Sequence, residues 1–243
     1  SFCTLLGLVR KMGGHFWSGV QGASGLVFGG FLALHAANTV CAVAGPEAFN
    51  QAQTTLRAVY QHPVAEAAVL ASLVLHVVAS IVKRVTDSAK AEKKAQPWLS
   101  RKTVHTVSGY VTLSVVFLHI FAVRFSPPEG VRLQFNALAH TIMRLNGVFY
   151  TYYLVFGAAA VAHMLLGLPT ASLYTRRWLG GVVRVFPRVP NWLVAAGVAA
   201  IALGVSAIAG CLYPVTVDTS DPFTALFDTE FAALKGTPLW REV

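Results

Sequence analysis

The stretch Val104–Arg124, VHTVSGYVTLSVVFLHIFAVR, decides how the chain is read. No Asp, Glu, Lys or Arg lies between Lys102 and Arg124. A membrane-crossing helix needs about 20 such apolar residues, and this run supplies them. Two polar features mark it: Ser108-Gly109 near its start and His119 near its end. An earlier run, Gly22–Val43, repeats the pattern, with Ser24-Gly25 preceding His35 by the same interval. Two further apolar runs carry His76 and His163.

Composition points the same way. Of 243 residues, 55% are hydrophobic and 12% charged, and the mean hydropathy is +0.59. A soluble domain carries about 25% charged residues, so lipid is the solvent for most of this chain. The net charge of +9 does not indicate nucleic acid, because the basic residues fall in short clusters beside apolar runs. That placement is the mark of membrane topology. Cys3, Cys41 and Cys211 stand singly, without a CxxC pair for zinc or a CxxCH for covalent haem, and they imply no disulfide framework. The chain opens at Ser1 rather than Met, which carries the expectation that a targeting peptide has been removed.

Taken in order, residues 1–21 read as an interfacial segment, 22–213 as five crossings and 214–243 as a tail. The crossings are expected at about Gly22–Ala44, His62–Val82, Thr103–Val123, Asn146–Leu168 and Trp192–Leu212. Glu47 and Arg57 fall in the first connection, and Arg132 and Arg144 in the third. Most Lys and Arg lie between crossings two and three and between four and five, which with Arg10 and Lys11 defines a basic side. The positive-inside rule assigns that side to the cytoplasm or the mitochondrial matrix. In the tail, Phe223, Phe227, Phe231 and Leu234 recur at helical spacing, as in a helix lying on the membrane or on a partner. The fold class is therefore all-α: an integral membrane five-helix bundle.

At about 1.5 Å of rise per residue, the four histidines sort by depth. His76 and His163 both sit late in helices running toward the basic side. His119 sits late in a helix running the other way, and His35 lies nearer the middle but in the same half. Helices one–two and three–four read as two copies of one hairpin, so a parallel repeat brings equivalent histidines face to face. Any one of them alone is as readily an interhelical hydrogen-bonding residue. Four of them, layered in pairs, suit axial imidazole ligands to two b haems. Zinc would gather three or four ligands at one level instead. Gly25, Gly29, Gly30, Gly109 and Gly157 leave room for a flat macrocycle or, equally, for close helix packing. Lys83 and Arg84 on the basic side, with Arg124 and Arg144 on the other, are candidate partners for haem propionates or plain topology charges.

Five helices with histidines in two layers resemble the two-haem cytochrome b anchors of succinate dehydrogenases and fumarate reductases, over about Gly22–Leu168. His105, Ser108 and Gly109 fit the His-x-x-[Ser/Thr]-Gly element of such anchors, although Thr106 stands where Arg often follows. The anchors' fourfold bundle also skips the third helix, whereas here helices one to four carry histidines in succession. The Ser-Gly…His hairpin is similar, too, to the transmembrane domain of the fungal mitochondrial Mcp1 type. The first resemblance implies electron transfer between quinone and partner flavin and iron–sulfur subunits, in a mitochondrial or bacterial inner membrane. Its quinone pocket is expected at the basic face, near Trp98, Arg101, His105, Ser108 and Arg84, where proton donors collect. The second implies a haem protein in lipid or haem homeostasis. A structural accessory subunit of a respiratory complex is the third possibility. A transporter is disfavoured, since no carboxylate lies deep in any span.

Overall fold

Helix is the only extended regular structure among the residues described by the computed structural model, which are 13–88, 97, 99–128 and 130–242. In chain order the helices are α1 (Gly13–Cys41), α2 (Pro46–Tyr60), α3 (Pro63–Ser88), α4 (Arg101–Ile120), α5 (Phe135–Arg144), α6 (Asn146–Trp178), α7 (Asn191–Ile208) and α8 (Pro222–Glu230). Five of them, α1, α3, α4, α6 and α7, are long and apolar enough to cross a membrane. Their outer faces carry Ile81, Val107, Leu118 and Leu203, each more than half exposed, as suits helices that face lipid. The chain is an integral membrane protein.

Boundaries shift where local chemistry allows it. The expected interfacial segment lies mostly outside the described residues, and Gly13 already belongs to α1. Helix α6 does not stop before Pro169 but continues to Trp178. A proline is tolerated inside a spanning helix because neighbouring groups re-satisfy the freed backbone. Just past the proline, the Ser172 hydroxyl donates to the Pro169 carbonyl at 3.0 Å. Helix α4 ends in a wide π-type turn over Phe121–Phe125, closed by Ser126 N–H on the Phe121 carbonyl at 2.9 Å.

Two connections read as loops are helices. In α2, Pro46 opens the helix, Glu47 sits at its positive end and Arg57 at its negative end. In α5, nearly every residue is buried, including Phe135, Ile142, His140 and Arg144. The tail packs on the chain's own α5. Phe223 and Phe227 of α8 pack with Leu133, Ala137, Leu145 and Trp240, so α5 and α8 form a cap at the less basic end of the bundle.

The four histidine-bearing helices stand in the order α3, α1, α6, α4, with α7 against α1 and α6. Helices α1 and α6 form a tight seam, whereas α3 and α4, the pair that an exact repeat would make equivalent, barely touch. The register aligning Gly25 with Gly109 and His35 with His119 also aligns Gly19 with Thr103, Gly22 with Thr106 and Gly29 with Leu113. A methyl at Gly22 would lie 2.6 Å from the Ala171 carbonyl oxygen of α6. The first copy therefore has the small residues that close a seam, and the second copy lacks them.

Candidate functional site

The two hairpins place their Ser-Gly elements against the histidine of the next spanning helix. In the first copy, His76 of α3 meets Gly25 of α1, where an added methyl would fall 2.9 Å from the imidazole Nδ1. In the second, His163 of α6 meets Gly109 of α4, with the corresponding distance 2.8 Å. Each ring then turns Nδ1 to a backbone carbonyl four residues before its glycine. His76 Nδ1 lies 3.0 Å from the Gln21 oxygen, and His163 Nδ1 2.9 Å from the His105 oxygen. A carbonyl can only accept, so in the neutral ring Nδ1 carries the proton and Nε2 keeps its lone pair. Ser108 adds its hydroxyl to the same carbonyl at 3.1 Å, whereas Ser24 donates to the Val20 carbonyl at 2.6 Å and only approaches the Gln21 oxygen, at 3.3 Å. The rings of His76 and His163 face one another across the bundle, with centroids 6.2 Å apart and planes at 83°.

Nearer the less basic side, His35 of α1 and His119 of α4 face one another with centroids 6.3 Å apart and planes at 68°. His35 stacks on Phe31 at 5.6 Å, and His119 Nδ1 lies 3.0 Å from the Tyr152 hydroxyl of α6. Both histidines line a cleft of about 230 Å³ walled by α1, α3, α4, α6 and α7 and closed toward its outer end by α2 and α5. Its outer end is polar: Arg57 and Tyr60 of α2, Glu66 of α3 and Arg124 all reach it. From Gly25 to His35, and again from Gly109 to His119, one helix advances about 15 Å, which is the separation of the two tiers along the bundle.

This donor set fits haem b. Two imidazoles binding one metal from opposite sides, each at about 2 Å, put their centroids roughly 6 Å apart. Both tiers have that spacing. Metal-bound histidines donate their other ring N–H to a carbonyl or carboxylate, as His76 and His163 do. Among the described residues no three His, Cys, Asp or Glu side chains gather in the way a zinc site requires.

The candidate charges divide. Lys83 donates to Gln21 Oε1 at 2.8 Å and lies over the Tyr174 ring, while Arg84 lies over Tyr110, so both stand at the basic end of the bundle. Arg124, at the outer end of the cleft, is held by the Glu66 carboxylate. Arg144 is committed elsewhere. It is buried, pairs with Asp228 at 2.6 Å and donates to the Arg241 carbonyl at 2.7 Å, so it secures the tail instead of facing the cleft. Asp228 also accepts from His140 at 2.7 Å. Burial works to raise the Asp228 carboxyl, but these hydrogen bonds and charges hold it below the usual carboxylate range.

Of the residues expected around a quinone, Trp98 lies outside the described residues. Arg101 bonds the Asn191 side chain and, at 2.7 Å, the Val189 carbonyl, tying α4 to the start of α7. Ser108 is buried on the His105 carbonyl, and the His105 ring stacks on His163 at 4.2 Å.

Sequence reasoning passed over four residues of the site. Arg57 was read as part of a loop, and Tyr152, which meets His119 Nδ1 at 3.0 Å, carried no signal of its own. Asn38 lines the cleft with a buried side-chain oxygen that has no partner among the described residues. Gln21 carried a usable signal, since it precedes Gly25 as His105 precedes Gly109.

Fold and site together define a five-helix membrane protein with two tiers of facing histidines. Comparison of the chain with family models, with curated proteins and with solved structures finds no match.

Proposed function

We propose that the chain is a b-type cytochrome subunit that holds two haems and passes electrons between a quinone and partner redox subunits, in the manner of a succinate dehydrogenase or fumarate reductase anchor. The observation that carries this reading is the matched pair His76 and His163, each with Nδ1 on a helix carbonyl and each opposite the other. Bound haem supplies one-electron chemistry that no side chain here provides. The chain's own residues do the rest. His76, His163, His35 and His119 would hold the two haems through imidazole nitrogen, the first pair through Nε2. The Gln21 and His105 carbonyls fix two of the rings against rotation and raise their basicity. The apolar walls of α1, α3, α4 and α6 exclude water, which favours electron over proton transfer within the bundle. Lys83 and Arg84 on one side and Arg124 on the other offer charge to propionates. With the basic loops in the matrix or cytoplasm, the two tiers would span the bilayer from one half to the other. A mitochondrial inner membrane suits the Mcp1-like repeat.

A second reading is a haem-binding membrane protein of the Mcp1 type, acting in lipid or haem homeostasis. It is favoured by the engagement of Arg101 and Ser108 in structural bonds, which leaves fewer groups for a quinone at the basic face.

Haem stoichiometry of the purified chain, by pyridine haemochrome, tests both. Two b haems are expected, with His76→Ala and His119→Ala each removing a different one. No haem in the unaltered chain would overturn both readings. Flavin and iron–sulfur subunits that copurify select the first, and a lone haem-bearing chain without quinone-linked turnover selects the second.

A further inference from the structure

The cleft between His35 and His119 is apolar along its walls and cationic at its outer end. Two guanidiniums line that end, Arg57 from α2 outside the membrane and Arg124 from the π-type turn that ends α4. Arg124 is bound by both oxygens of Glu66, with Nη2 to Oε2 at 3.1 Å. Arg57 is half-buried and, among the described residues, makes no ion pair. Its contacts are neutral: the Tyr60 phenol and the Gln53 amide, whose oxygen accepts from Arg57 Nη2 at 3.3 Å in the orientation that also satisfies Leu133. A guanidinium facing an apolar cleft with only neutral partners lacks the anion that would offset its desolvation. Planar guanidinium groups bind carboxylates through paired hydrogen bonds.

We propose that Arg57 and Arg124 seat the two carboxylates of the flat ligand held between His35 and His119, and that Glu66 competes for the Arg124 half of that seat. The inference rests on the reading of this histidine pair as a haem site. It fixes the ligand's orientation, with acid groups toward the less basic membrane face and the apolar edge inward. Entry is edge-on, through the gap between α3 and α4, and Glu66 yields Arg124 as the ligand's carboxylate arrives.

The test is titration of the full chain with iron protoporphyrin IX and with its dimethyl ester, read by the Soret band. A His163→Ala background leaves the cleft tier alone. The unaltered chain, compared with His119→Ala, gives the same quantity by difference if that background fails to fold. The free diacid is expected to bind at least about tenfold more tightly than the ester. Arg57→Gln should remove most of that preference without changing ester affinity, which also serves as its folding control. Glu66→Gln should tighten diacid binding. Equal affinity for diacid and ester, unchanged by Arg57→Gln, would overturn the carboxylate seat and leave the histidine tier standing. No Soret band with either form, even in the unaltered chain, would overturn the haem reading and the seat with it.

Discussion

Gly25 and Gly109 show what a single hydrogen in place of a methyl does here. Alanine for glycine inside a helix ordinarily gains about 1 kcal/mol. At these two positions the gain is reversed, because the methyl would meet an imidazole fixed by a 3.0 or 2.9 Å hydrogen bond. Overpacking of that kind costs about 1–3 kcal/mol. Gly109→Ala is expected to lower the unfolding temperature and to halve the haem content by displacing His163. Gly30→Ala, where nothing lies within 4 Å, is the matched control and is expected to hold or raise stability with haem unchanged. The Ser-Gly repeat was legible in the sequence as a pattern. Its role was not, because the partner histidine lies some 50 residues further along and only packing shows which carbonyl it meets. Arg57 was illegible for a different reason: its importance comes from facing a cleft built by six other helices.

At the scale of elements, the cap of α5 and α8 departs most from the sequence reading. A search for membrane-length apolar runs passes over a helix of ten or fifteen residues, which is the length of α5 and α2. The helical spacing of Phe223 and Phe227 was visible, but spacing names a buried face and not what covers it. What covers it is α5, held by Asp228 on Arg144 and His140. Since the Asp228 carboxyl is held below its usual value in the folded protein, its stabilisation is fully present above about pH 4 and is lost as pH falls through the folded value. Limited proteolysis should find α8 protected at neutral pH and released on acidification. Asp228→Asn should release it at neutral pH, because the buried Arg144 would keep only the exposed Glu242 carboxylate at 3.4 Å, and breaking a buried pair costs roughly 3 kcal/mol. Unchanged protection in that variant would show that the phenylalanines alone hold the tail.

For the whole molecule, the five crossings were legible because lipid demands an uninterrupted apolar length, which a sequence displays directly. Their arrangement was only partly so. A symmetrical repeat predicts two equal seams, yet Thr103, Thr106 and Leu113 replace the glycines that close the first, and the α3/α4 side stays open. An odd number of crossings puts the exposed Cys211, just past α7, on the side opposite the α6–α7 loop. A membrane-impermeant maleimide applied from one face of sealed vesicles should therefore label either Cys211 or an introduced Gly181→Cys, never both. Labelling of both from one face would remove a crossing from the topology.

The bond between Arg144 and Asp228 also sets an order of manufacture. Arg144 emerges before α6 and α7, and Asp228 after both. The two residues meet only once the last spanning helix has been inserted and the chain behind it carried across the bilayer. Until then Phe223, Phe227 and Trp240 have no cover. A chain in which α7 fails to insert would leave them on the wrong side, as uncovered apolar surface within reach of chaperones and proteases. The outer cap thus acts as a seal on the last hairpin, closing once α6 and α7 have both crossed.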